Sequence, residues 1–165
     1  MANIVNVRID ERLIHGQVAA SWTNNLNASR LMVIDDSAAG DDIQKMALKM
    51  ACPKTTKLSI LSVEKAVARL NDPANYVGER LFCIFRGTET LRRAIDLGAP
   101  IKNITVGNMS NKVGSERVYH TVCVTEQDMI NFRYLNAKGV TFTAQMVPTD
   151  NPQNFMELTK DKFVK

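Results

Sequence analysis

Histidine, cysteine and long apolar runs are all scarce in these 165 residues. Of the three cysteines, Cys52, Cys83 and Cys123, no two are close together and no Cys-x-x-Cys occurs. An odd, scattered set argues against both a disulfide framework and a zinc cage, and it fits a reducing cytoplasm. The longest apolar run, Leu81–Phe85, falls far short of the roughly 20 residues a membrane helix needs. The opening MANIVNVRID has no basic segment followed by a long apolar stretch and a small-residue cleavage site, so no secretory signal is expected. Charge is not blocked: 21 basic and 17 acidic residues are spread along the chain, for a net charge of +4. No polybasic tract points to nucleic acid, and the mild excess is compatible with an acidic protein partner. Neither G-x-x-x-x-G-K-[ST] nor G-x-G-x-x-G occurs, and there is no G-x-S-x-G elbow, so nucleotide binding and serine hydrolase chemistry lack support.

What is present is the composition of an ordinary soluble globular protein, 45% hydrophobic and 23% charged. The length suits one domain, 1–165, with a real core. Short β-branched runs alternate with stretches of helical spacing, the signature of βαβ units. The pattern predicts strands at Ile4–Ile9, Arg30–Ile34, Lys57–Leu61, Leu81–Phe85, Asn103–Val106 and Val140–Met146. Between them it predicts helices at about 15–24, 41–51, 63–70, 89–97 and 126–137, with a short terminal helix at 153–160. Val118–Val124 alternates and is expected as an edge strand, antiparallel to the rest. The fold class is therefore α/β: a mostly parallel open sheet of six or seven strands, helices on both faces, and one antiparallel edge strand.

Ligands of such sheets bind beyond the carboxyl ends of the strands. The loops expected there are Asp10-Glu11-Arg12, Asp35-Asp36-Ser37, Arg86-Gly87-Thr88 and Gly107-Asn108-Met109-Ser110, all polar and all on one rim. Asp35, Asp36, Arg86, Thr88 and Asn108 are accordingly candidate substrate-binding residues. For the two aspartates, turn chemistry is an open alternative, and no metal site is expected.

His15, one of only two histidines, stands in VRIDERLIHGQ at the predicted start of the first helix. Unpaired N–H groups and the helix dipole favour an anion there. Arg12 adds a planar fork of donors suited to phosphate. Asp10 can orient Arg12 or the imidazole. A nucleophilic nitrogen beside an anion cradle is what a phosphohistidine site requires. On residue type alone, His15 as a plain helix cap, Arg12 as a surface ion-pair partner and Asp10 as a loop cap all stay open. His120 has no partner at ligand spacing and is expected to be structural or exposed. Trp22, two turns after His15, is expected in the core.

The residues Val7-Arg8-Ile9-Asp10-Glu11-Arg12-Leu13-Ile14-His15-Gly16-Gln17-Val18 carry a resemblance, supported by Val106-Gly107-Asn108-Met109, Val122–Asp128 and Gln145-Met146-Val147-Pro148-Thr149-Asp150. Together they make the chain resemble the IIB component of the bacterial phosphotransferase system, in the mannose/fructose/sorbose family, over nearly its whole length. The resemblance implies a protein-phosphohistidine–sugar phosphotransferase needing no cofactor. His15 would take a phosphoryl group on Nδ1 from a histidine of the IIA component. It would then pass the group to a sugar entering through the membrane components IIC and IID, from the cytoplasmic side and in peripheral contact with the membrane. Arg12 matches the phosphate-facing arginine of the family and Asp10 its loop aspartate. Ser110 departs from the aromatic or basic residue usual after the Gly-Asn-Met of the family, and Met109 is expected to pack beneath the site. A regulatory module that keeps the fold without passing phosphate onward is the alternative class. The sequence names neither the sugar (mannose, fructose, sorbose or an amino sugar) nor the oligomeric state, and association into homo-oligomers stays open.

Overall fold

β-branched and aromatic runs buried on both sides set the frame of this molecule. The computed structural model describes residues 2–164. In chain order the first half contains β1 (Asn3–Asp10), α1 (Gly16–Leu26), β2 (Arg30–Ile34), α2 (Asp36–Ala39), α3 (Asp42–Ala51), β3 (Lys57–Leu61) and α4 (Val63–Asn71). The second half contains β4 (Arg80–Phe85), α5 (Thr88–Asp96), β5 (Asn103–Asn108), β6 (Glu116–Tyr119), β7 (Val122–Val124), α6 (Glu126–Ala137), β8 (Thr141–Ala144), β9 (Gln153–Asn154) and α7 (Phe155–Leu158). A seven-stranded sheet runs in the order β3-β2-β4-β1-β5-β8-β9, parallel except for the antiparallel β8–β9 pair.

The two-residue period of the strands sorts their side chains between two cores. Val7 and Ile9 of β1, Met32 and Ile34 of β2, and Leu81, Cys83 and Phe85 of β4 join α4, α5 and α6 on one face. Leu31, Val33, Phe82 and Ile84 join α1 and α3 on the other. Burial pushes the Cys83 thiol up to about 12, so it is an inert core group. The same alternation sends Arg8 and Asp10 to the α1 face. On that face Arg8 lies against the ring of Trp22, 5.5 Å from its centroid.

Several expectations are met closely, among them β2, β3, α4 with Ser62 as its N-cap (3.2 Å from the Lys65 N–H), and α6. Others need correction. Residues 118–124 are not an edge strand of the sheet. They divide at the turn Tyr119–Val122 into a separate hairpin, β6–β7, in which Arg117 donates to the His120 carbonyl at 2.8 Å. The hairpin is held to the exit of β5 by Met109 N–H to the Thr121 carbonyl and Cys123 N–H to the Met109 carbonyl. The antiparallel edge is instead β9, where a helix was expected to begin. Asn154 stops the helix from starting earlier, because its Oδ1 caps α7 by accepting from Met156 and Glu157. β8 is shorter than the expected 140–146, and Asp36–Ala39 is a helical turn capped by Asp35 rather than a plain turn. His15 precedes the first helix as its N-cap instead of lying inside it.

Thr125 begins α6 with a reciprocal capping box: its hydroxyl accepts from Asp128 N–H at 3.1 Å while Asp128 accepts from Thr125 N–H at 3.0 Å. Thr125→Ala is expected to cost about 1 kcal/mol. Calorimetry would read this as a melting temperature about 2–4 °C lower; an unchanged midpoint would mean that the cap does not hold α6 in place.

Candidate active site

The segment 10–15 leaves β1 in a tight, side-chain-directed turn. Asp10 Oδ1 accepts from the Arg12 N–H at 3.0 Å, and the Asp10 carbonyl accepts from Leu13 N–H at 2.9 Å. Leu13 sits at φ 60°, a left-handed conformation costly for a bulky side chain. It is held there because the side chain is buried beside Ile14 in the α1-face core. The loop is thus clamped from below by a carboxylate and an apolar anchor, and it delivers His15 to the exposed N-cap of α1.

The α1 N-terminus differs from those of its neighbours. His15 makes no side-chain cap, and the first turn of α1 has no acidic residue. The first turns of α2 to α7 each contain at least one. The unpaired N–H groups at this end therefore keep their positive potential free for an external anion.

Asp10 carries the electrostatics of the loop. It is only 1% exposed and faces two guanidinium groups. Arg12 donates Nε and Nη2 to its two oxygens at 3.2 Å each, while Arg8 Nε lies 3.5 Å from Oδ2. Arg8 is buried, and burial pulls its guanidinium below the ordinary value, an effect the neighbouring Asp10 charge partly offsets. Arg12 keeps its outer edge open to solvent.

A register shift between β1 and β5 pairs Ile9 with Val106 but Asp10 with Asn108, leaving Gly107 as an extra residue. A Cβ on Gly107 would lie 2.0 Å from Arg8 Cζ, so only glycine leaves room for the guanidinium. Glu11 then bridges to the same strand: its N–H donates to the Asn108 carbonyl at 3.1 Å and its carboxylate accepts from Ser110 and Lys112. Burial acts to raise the Glu11 pKa, but the Lys112 and Ser110 bonds outweigh it and hold the group below the usual carboxylate range.

The expected rim is present, though its residues do not form one cluster. Asp35, Asp36, Arg86 and Thr88 line a neighbouring open cleft of about 1090 Å³, which Glu11 also borders. Asp35 is buried, capping α2 through Ala38 N–H and pairing with Arg86 at 3.1 Å. Arg86 also donates to the Glu11 carbonyl at 3.4 Å, which ties the cleft to the His15 loop. Asp36 accepts from Val63 N–H at 2.9 Å and pairs with Arg93 at 2.8 Å. The Val63 bond, then Arg93, holds its carboxyl below the usual range. Thr88 is buried against Asp128 and Asn131, and Asn108 meets the loop through its backbone. Met109 is buried, but in the core of the α4–α6 face rather than beneath the His15 loop, and Trp22 is in the core as expected, its indole donating to the Met146 carbonyl at 2.8 Å. His120 is exposed, 4.0 Å from Asp150. Among the described residues no group of three or more potential metal ligands occurs. Arg8 is no part of the site expected from the sequence, and Glu11 and Gly107 fall in its rim loops with no role assigned to either. The strand period could have placed Arg8 beside Asp10, but nothing local announces the bulge that seats it.

The family model described as "PTS system sorbose subfamily IIB component" matches residues 4–165. The chain belongs to that family. Within the mannose/fructose/sorbose superfamily, it is 36% identical over 151 residues to the mannose-specific EIIAB component of Escherichia coli K12, covering 92% of this chain and 46% of that protein. It is 32% identical to the sorbose-specific EIIB component of Lacticaseibacillus casei, over 98% of both chains. The IIBSor domain of the sorbose permease from Klebsiella pneumoniae superposes with a TM-score of 0.90 at 30% identity, covering 98% of this chain and 99% of that one. The chain spans about half the length of the EIIAB relatives it matches. For this IIB chain, removing the carboxylate from Asp10 strands the buried Arg8 charge. Asp10→Ala is expected to destabilise the fold by about 3–5 kcal/mol in urea denaturation, and a loss below about 1 kcal/mol would show that the pair is not buried as described.

Proposed function

We propose that this IIB chain is a phosphocarrier in which His15 accepts a phosphoryl group from a IIA histidine and passes it to a sugar imported through the IIC and IID components. The observation that carries the reading is His15 exposed at the one α1–α7 N-terminus lacking both a side-chain cap and an acidic first turn, with the Asp10-held Arg12 three residues before it. α5 also lacks a side-chain cap, but Glu89 occupies its first turn.

The chemistry follows from that arrangement. The lone pair of a His15 ring nitrogen attacks phosphorus; the new P–N bond forms as the donor P–N bond breaks, and the donor imidazole leaves with its electron pair. Transfer between two histidines is limited by in-line positioning and by the charge spread over three equatorial oxygens. Arg12 and the free N–H groups at the start of α1 meet that charge without reorganising. Nδ1 is the acceptor nitrogen that the family resemblance implies.

Exposure of His15 suits docking of a second protein over the loop, and the onward step requires a membrane partner. No helix among the described residues is long and apolar enough to cross a membrane. Association with the inner face of the membrane is therefore read as occurring through IIC and IID. The adjoining cleft with Asp35, Asp36, Arg86 and Thr88 borders the phosphoryl site through Glu11 and is read as a substrate or partner rim.

Incubation with phosphoenolpyruvate, the general phosphotransferase proteins and the IIA partner should place acid-labile label on His15. His15→Ala should take none, and Arg12→Ala should take it about 10–100-fold more slowly while remaining folded. Acid-stable label, or undiminished labelling of His15→Ala, would overturn the assignment. Normal labelling without sugar phosphorylation in vesicles carrying IIC and IID would move the chain to the regulatory class.

A further inference from the structure

Three of the four stretches that carry the family resemblance, 7–18, 106–109 and 145–150, lie far apart in sequence, and the role proposed for His15 uses only the first. In the structure they converge on Arg8. Its Nη1 donates to the Gln145 carbonyl at 3.0 Å, its guanidinium lies over Gly107, and Trp22, which covers it, donates to the Met146 carbonyl. Gln145 is itself fixed by Nε2 bonds to the Pro148 and Asp150 carbonyls, at 3.3 and 3.0 Å.

This is a costly way to fill a core. Arg8 is 1% exposed, and the bond from Nη1 to Gln145 is the one hydrogen bond of its guanidinium among the described residues; Nε lies 3.5 Å from Asp10 without hydrogen-bond geometry and Nη2 has no partner. An apolar side chain of similar length would pack between Gly107 and Trp22 without the desolvation penalty. What an apolar side chain could not do is act on Asp10. Two guanidinium groups facing one carboxylate leave the cluster with one net positive charge, whereas Asp10 and Arg12 alone would neutralise each other.

Building on the phosphocarrier reading, we infer that Arg8 is a positioning residue for phosphoryl transfer: it holds and balances the buried Asp10 carboxylate, so that Arg12 is kept in place yet available to the phosphoryl group. Arg8 itself does not touch the transferred group. It acts through Asp10 on Arg12, and its effect therefore depends on Arg12 being present.

The test is a double-mutant cycle on the rate of transfer from phosphorylated IIA, measured on folded protein. Arg8→Met should slow transfer about tenfold when Arg12 is intact and less than about twofold in the Arg12→Ala background. Affinity for IIA should not change, because Arg8 is buried. Equal slowing in both backgrounds, or no slowing with Arg12 intact, would overturn the inference. If Arg8→Met does not fold, Arg8→Lys, which keeps the charge, is put through the same cycle; a smaller slowing that disappears with Arg12→Ala supports the role, and equal factors overturn it. Failure of the unmodified chain to take label on His15 would overturn the phosphocarrier reading and this inference with it. Labelling on His15 with equal factors would remove only the role of Arg8.

Discussion

The buried carboxylate of Asp10 is the constraint on which the site depends. At the last position of β1 it faces the α1 side of the sheet, almost wholly out of water, and a charge in that position must be paired. Arg8 meets it from within the strand and Arg12 from the loop. The same carboxylate accepts the Arg12 N–H, so the ion pair and the turn are one structure. The path of the chain from β1 to His15 follows from that turn and from Leu13 buried beneath it.

The rest of the fold supplies the conditions for this group. Six parallel strands bring the ends of β1, β2, β4 and β5 to one rim, and the bulge at Gly107 makes the space that Arg8 fills. Glu11 and Arg86 link the His15 loop to the neighbouring strand ends, so a partner approaching the histidine meets a connected surface of fixed side chains. Such fixed positioning suits phosphoryl transfer, where most of the protein's contribution is alignment and charge placed beforehand.

Much of this was legible in the sequence because it depends on local rules. The periods of the apolar runs located the sheet strands and the main helices, and the polar loops after them located the rim. Asp10, Arg12 and His15 fall within six residues, so a single strand-to-helix turn contains all three and pairs Asp10 with Arg12. What could not be read depends on contacts between distant segments. The two-residue strand β9 is too short to leave a pattern, and residues 118–124 alternate as an edge strand would while pairing with themselves and with the exit of β5. Arg8 looks like a surface residue of an alternating strand until Gly107, Trp22 and Gln145, from three other parts of the chain, enclose it. Asp35 and Asp36 read as a free acidic pair, whereas the fold uses them to cap α2 and to join α4 and α5.

The central claim is that the phosphoryl group resides on His15 within the cradle held by Asp10. Nuclear magnetic resonance of the phosphorylated, nitrogen-15-labelled chain tests it most directly. The account predicts phosphorus–nitrogen coupling at a His15 ring nitrogen, with the largest shift changes at the Arg12 guanidinium and the Gly16–Val18 amides. Coupling at His120, or phosphorylation of His15 that leaves Arg12 and those amides unperturbed, would contradict it.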